Sequence, residues 1–222
     1  MKGRSLLIIL ILLSTRILYA QEYSDFQFGI KVGGNLYSSS MNIENIADKK
    51  LKVGYQVGLF GEYAFSESFY LHSGLFFVTK GVKIKGSADA SSWSQSIGLQ
   101  YLQVPLLATY KFELVSDTKV FFNVGPYIAY GIGGKSTRRN KFTDATRSDE
   151  KVELNSFGDN RMKKMDFGLK YSVGLEFERI LFEWSYEFGL MNIENNDNKI
   201  NSLFDNKHYK NKGLSLAVGY KF

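Results

Sequence analysis

The last ten residues, Gly213-Leu214-Ser215-Leu216-Ala217-Val218-Gly219-Tyr220-Lys221-Phe222, decide the fold. Leu214, Leu216, Val218, Tyr220 and Phe222 alternate with Gly213, Ser215, Ala217, Gly219 and Lys221, so one face is apolar and the other small or polar at period two. That is the repeat of a strand. The same alternation runs from 166 to 178, where Phe167, Leu169, Tyr171, Val173, Leu175 and Phe177 interleave with Asp166, Gly168, Lys170, Ser172, Gly174, Glu176 and Glu178. A helix would scatter both sets around its circumference.

Six further segments read as strands, roughly 25 to 37, 51 to 65, 69 to 84, 97 to 112, 119 to 133 and 180 to 191, and most exceed ten residues. A tilted strand crosses the hydrocarbon of a membrane with about 9 to 11 residues, whereas strands of soluble domains commonly stop near about 5 or 6. The connections alternate in length. Joins at 66 to 68, 113 to 118 and near Arg179 and Ile180 are short, while 38 to 50, 85 to 96, 134 to 161 and 192 to 210 are long. All four long connections follow odd-numbered strands and emerge from one end, the pattern of short periplasmic turns and long external loops. The expected fold is therefore all-β, an eight-stranded antiparallel up-and-down transmembrane β-barrel of outer-membrane type.

The N-terminus agrees with export. Lys2 and Arg4 precede an apolar run from Leu6 to Leu13, and Ala20 precedes polar Gln21, the layout of a cleaved signal peptide. The predicted domains are a signal peptide at 1–20 and an outer-membrane β-barrel domain at 21–222. Without Lys2, Arg4 and Arg16, 25 basic residues face 22 acidic ones, a charge too mild to suggest nucleic acid as partner. Cysteine is absent, which removes disulfides, thiolate metal sites, cysteine nucleophiles and a lipid-anchored N-terminal cysteine. With only two prolines, 21 glycines and 15% aromatics, the composition is that of strands and turns.

The alternation also assigns the charges. Lys31, Lys52, Glu62, Lys80, Lys111, Asp166, Lys170, Glu176, Glu178, Glu183, Glu187 and Lys221 all lie opposite the main apolar set, which predicts a salt-bridged lumen. Eight strands leave an interior that side chains can fill, which argues against a general porin. A soluble ligand-binding barrel would turn the apolar face inward. Against it stand Tyr63, Phe65, Phe69, Tyr110, Phe112, Phe182, Trp184, Tyr220 and Phe222, aromatics near the turn-side strand ends, where a membrane barrel carries its interfacial girdle.

The run Tyr101-Leu102-Gln103-Val104-Pro105-Leu106-Leu107-Ala108-Thr109-Tyr110-Lys111-Phe112 resembles the fourth-strand signature of the Bacteroidetes porin family, also called PorT-like outer-membrane barrels. Gly125-Pro126-Tyr127, Gly133-Gly134-Lys135, Asp166-Phe167-Gly168 and Gly174-Leu175-Glu176-Phe177 resemble its next blocks. Tyr220 and the terminal Phe222 resemble the signal read by the barrel-assembly machinery. The resemblance implies a Gram-negative host and an outer-membrane address, in a functionally mixed family that includes a component linked to type IX secretion.

Candidate chemistry is thin. His72 is expected to face the lumen with no serine or carboxylate motif of recognisable spacing beside it, so a packed interior histidine is the favoured reading over an outer-membrane hydrolase. His208 stands in the last long loop with Glu194, Asp197, Asp205 and six asparagines, a set whose spacing matches no calcium loop. Gly131-Ile132-Gly133-Gly134-Lys135 lacks the spacing of a phosphate loop and precedes no helix. Segment 134 to 161 carries Lys135, Arg138, Arg139, Lys141, Arg147, Lys151 and Arg161 against Asp144, Asp149, Glu150, Glu153 and Asp159, a mixed, solvated loop with a capacity for lipopolysaccharide phosphates. Met-Asn-Ile-Glu-Asn occurs twice, at 41 to 45 and 191 to 195, leaving strands one and seven.

The sequence thus predicts an integral outer-membrane protein with a side-chain-filled lumen, no enzyme, no cofactor and no metal site. Its role is structural, adhesive or accessory through four long external loops. Its partners are outer-membrane lipid, the barrel-assembly machinery during biogenesis, and an external-loop partner or lipopolysaccharide. The rival classes are a narrow porin-like channel, an accessory of a type IX secretion system, and a lipid-acting or proteolytic enzyme.

Overall fold

A computed structural model describes residues 25–40, 48–88, 91–142, 150–158, 161–194 and 209–222. The signal-peptide assignment at 1–20, His208 with its neighbours Asp197 and Asp205, and the first Met-Asn-Ile-Glu-Asn copy lie outside the described residues, which include all but the last residue of the second copy.

The described chain forms ten strands: β1 (Phe26–Ser40), β2 (Asp48–Ala64), β3 (Phe69–Ala88), β4 (Ser91–Val115), β5 (Thr118–Gly133), β6 (Lys135–Phe142), β7 (Glu150–Asn155), β8 (Met165–Phe177), β9 (Ile180–Gly189) and β10 (Lys210–Lys221). Eight of them, β1 to β5 and β8 to β10, close an antiparallel ring, because β1 pairs with β10 while β3 pairs with β4. Closure leaves the membrane-spanning backbone no unpaired edge, the condition for a sheet to exist in hydrocarbon.

The pleat then sorts side chains. Along β10 every second residue from Asn211 to Lys221 is buried, while Leu214, Leu216, Val218 and Tyr220 point outward. Leu59 on β2, Leu106 on β4, Val124 on β5, Tyr171 on β8 and Trp184 on β9 likewise lie on the exposed outer surface. Charged groups fill the inside and apolar groups cover the outside, the reverse of a soluble ligand-binding barrel. At the turn end, Phe69 meets Tyr110 at 5.1 Å between ring centroids, Tyr110 meets Phe112 at 6.2 Å, and Phe112 meets Phe122 at 6.2 Å. Tyr63 with Phe65 and Tyr220 with Phe222 continue this aromatic belt.

In two of the expected long loops much of the described chain is strand instead. The described residues of 85 to 96 are strand: β3 runs to Ala88, β4 starts at Ser91, and the two pair in register as far as Ala88 with Ser91. Within 134 to 161, β6 and β7 form a hairpin whose first strand pairs with the outer part of β4, from Ser91 with Phe142 to Ile97 with Ser136. Ser, Thr and Arg are polar on both faces there, so period-two hydrophobicity gave no sign of these strands. Beyond the membrane, β2, β3, β4, β6 and β7 therefore make a raised sheet on one side of the barrel mouth.

Candidate functional site

The lumen holds a connected column of charge. At the turn end, Lys111 Nζ donates to Glu62 Oε2 at 2.5 Å and Glu176 Oε2 at 2.7 Å. Lys221 Nζ reaches Glu176 Oε1 at 2.6 Å and Glu62 Oε2 at 2.7 Å, so two lysines and two glutamates alternate around a closed square. Glu62 passes the column on through His72, whose Nδ1 lies 3.0 Å from Oε1. The other ring nitrogen of His72 is 3.4 Å from Lys31 Nζ, and the ring stacks on Phe60.

Lys31 then donates to Glu183 at 2.6 Å, and Lys170 bridges Glu183 at 3.6 Å and Glu187 at 3.3 Å. Lys80 lies 3.3 Å from both Glu187 and Asp166 and 4.1 Å from the Tyr127 ring centroid. Tyr37 donates to Glu187 at 2.6 Å, Gln103 donates to it at 2.9 Å, and Asn211 donates to Asp166 at 3.0 Å. Lys31, Lys80, Lys111, Lys170 and Lys221 thus face Glu62, Glu176, Glu183, Glu187 and Asp166. Each of the ten is buried. A desolvated charge is tolerable only when paired, and the column pairs every one.

Above it the lumen turns apolar. Val82, Ile84, Ile97, Leu99, Tyr101, Tyr127 and Ala129 from the strands pack with Met162, Ile193 and Tyr209 from the segments that enter from outside. Phe157 meets Tyr101 edge-on at 5.5 Å, and its ring occupies the space where a side chain on Gly131 would stand. This cover is held by backbone bonds from Met162 N to Ser156 O at 3.1 Å, Lys163 N to Ile193 O at 2.7 Å and Ile193 N to Tyr209 O at 3.0 Å. Burial raises the carboxyl pKa of Glu194, which pairs across the bridge with Met162.

Two residues predicted for the lumen are elsewhere. Glu178 is exposed, because β8 ends at Phe177 and the two-residue turn to Ile180 needs a positive φ, 50° at Glu178. The side chain consequently leaves the strand's alternation. Lys52 lies within the register shift of β2 on β3 between Leu51 and Gln56. Its Nζ donates to Ile97 O at 3.0 Å and Ser96 Oγ at 3.4 Å, and it lies where side chains on Gly81 and Gly98 would project, outside the barrel wall. Bulges turn side chains over in this way. Tyr37, Gln103 and Asn211 were legible by the same parity as the charges, while the cover residues Phe157, Met162 and Ile193 carried no periodic signal.

Of the other segments singled out, Gly131 to Lys135 joins β5 to β6 and forms no phosphate loop, with Gly134 at φ 137° where the chain bends outward. On the hairpin, Lys135 pairs with Glu153 at 2.8 Å, and this bond raises the lysine pKa and lowers that of the glutamate. Among the described residues, no group of three or more histidines, aspartates or glutamates is placed to hold a metal ion.

Solved structures of similar fold include Ail of Yersinia pestis in complex with the heparin analogue sucrose octasulfate, at 14% identity over 89% of this chain and 99% of that one, TM-score 0.40. OprG from Pseudomonas aeruginosa aligns at 16% identity over 90% and 97%, TM-score 0.42, and the outer membrane enzyme PagL at 13% over 86% and 98%, TM-score 0.37. No curated protein matches the chain. The family profile described as outer membrane protein beta-barrel domain matches residues 19–195, most of the chain, and the protein belongs to that family and resides in the outer membrane.

Proposed function

We propose that this outer-membrane barrel is a closed scaffold that conducts no solute and acts outside the membrane, in a structural, adhesive or accessory role, through its raised sheet and loops. One observation carries the reading: the lumen is occupied along its length, first by the ion-paired column and then by the apolar cover over Tyr101 and Tyr127. A hydrated ion entering would have to break several desolvated ion pairs, each worth about 3 to 5 kcal/mol against loss of one partner. Catalysis is not part of the proposal. Both ring nitrogens of His72 are engaged by Glu62 and Lys31, and among the described residues no hydroxyl bonds to that ring.

The test is conductance in planar bilayers. Purified, heat-modifiable protein should give no stepwise current; reproducible unitary steps that a Lys80→Ala variant enlarges would establish a narrow channel instead. The likeness of 101–112 to PorT-like barrels of Bacteroidetes supports a finer place within the family and motivates a second assay. Unimpaired type IX cargo release in a deletion strain would leave that secretion role without support.

A further inference from the structure

The raised sheet has one face that continues the lipid-facing side of the barrel. Going outward, the outward-facing row of β3 passes from Phe77 to Thr79, Gly81, Lys83 and Lys85, of which the two lysines are exposed, and that of β4 from Leu102 to Gln100, Gly98, Ser96 and Ser94. Register carries the row across to Thr137 and Arg139 of β6, opposite Ser96 and Ser94, and to Glu153 and Lys151 of β7. The opposite face carries Ile97 and Gln95, which are buried.

This outward face is cationic. Lys50 stands directly opposite Lys83, Arg139 directly opposite Lys151, and Lys52 lies across Gly81 and Gly98 toward them. Like charges directly opposite on a sheet repel. Lys83, Lys85 and Arg139 have no carboxylate partner among the described residues, whereas Glu153 serves Lys135 at 2.8 Å and Lys151 at 3.5 Å. Asp48 is the register partner of Lys85. The hydroxyls of Ser94, Ser96 and Thr137 intersperse the cations, a set suited to charge-assisted bonds to phosphate oxygens.

Height selects the kind of phosphate. From Leu102 to Gly98 is four residues and from Phe77 to Lys85 eight, so at about 3.3 Å per residue and about 40° of tilt the face stands about 10 to 20 Å above the hydrocarbon. Ordinary phospholipid headgroups end about 5 to 8 Å above it. We propose that this face binds the phosphate groups of an outer-leaflet glycolipid whose saccharide headgroup rises beside the barrel, fixing the raised sheet against the membrane surface. The site is independent of whether the lumen conducts.

The test reconstitutes the full protein in phosphatidylcholine bilayers and measures the temperature at which compact, heat-modifiable migration is lost. Doping with rough-type lipopolysaccharide should raise that temperature. Its dephosphorylated form should not, phosphatidylglycerol at equal charge should do less, and added salt should shrink the shift. The Lys83→Gln, Lys85→Gln, Arg139→Gln variant removes three exposed cations of this face and should lose the shift. The Lys163→Gln, Lys210→Gln, Lys212→Gln variant makes the same charge change elsewhere on the outer side and should keep it. Equal stabilisation by the dephosphorylated glycolipid or by phosphatidylglycerol, persistence in the first variant, or loss in the second would overturn the proposal. So would soluble sugar phosphates that compete fully at the concentration of the lipid, since the ligand would then be a free polyanion.

Discussion

Glu187 shows what one lumen residue contributes. Its two oxygens receive Tyr37 and Gln103 and stand 3.3 Å from both Lys80 and Lys170, so removing it leaves two buried ammonium groups each short of a partner. Uncompensated buried charge is the costly case, about 3 to 5 kcal/mol for one broken pair. Glu187→Ala should therefore lower the urea-unfolding free energy in lipid vesicles by about 3 kcal/mol. Glu153→Ala, on the exposed hairpin, should leave it unchanged. A wild-type unfolding curve for Glu187→Ala would mean that solvent already screens the column. Gly174 illustrates the complementary device: a side chain there would collide with the Phe121 ring, so the missing Cβ makes room for the large neighbour within the same small lumen.

At the scale of elements, the ring and the raised sheet are separable. Ring closure uses β1 with β10 and β3 with β4, and β6 and β7 contribute nothing to it. Replacing residues 136–154 by a short Gly-Ser turn should leave insertion and heat-modifiable migration intact, as read on unboiled gels. Loss of the compact band would show that the hairpin helps to hold the barrel. The turn at Glu178 is an element-scale effect as well, since two residues joining β8 to β9 impose a backbone conformation that overrides the side-chain alternation of the strand before it. The raised strands escaped the sequence reading for a related reason. Outside the membrane neither face of a strand must be apolar throughout, so the period-two signal fades although the hydrogen-bond ladder continues.

For the whole molecule, Phe222 is set into the ring: its backbone N donates to Phe28 O at 3.0 Å, and its ring lies 5.4 Å from that of Phe28, on the outer surface. If Tyr220 and Phe222 form the assembly signal, Phe222→Ala should slow appearance of the heat-modifiable species in pulse-labelled cells several-fold while refolding into detergent proceeds normally; an equal delay in both would make the residue a packing contact. The sequence by itself determined the eight ring strands, their antiparallel order and the sorting of Lys31, Glu62, Lys80, Lys111, Asp166, Lys170, Glu176, Glu183, Glu187 and Lys221 onto one face, because a bilayer forces strict alternation on any strand that crosses it. Tertiary structure alone decided which charges meet, since Lys31 and Glu183 are 152 residues apart and their contact depends on curvature and closure. It also decided that Lys52 leaves the lumen at a bulge and that Met162, Ile193 and Phe157 pack onto the apolar cluster of Tyr101 and Tyr127, because register shifts and the docking of loop residues are set by contacts remote in the chain.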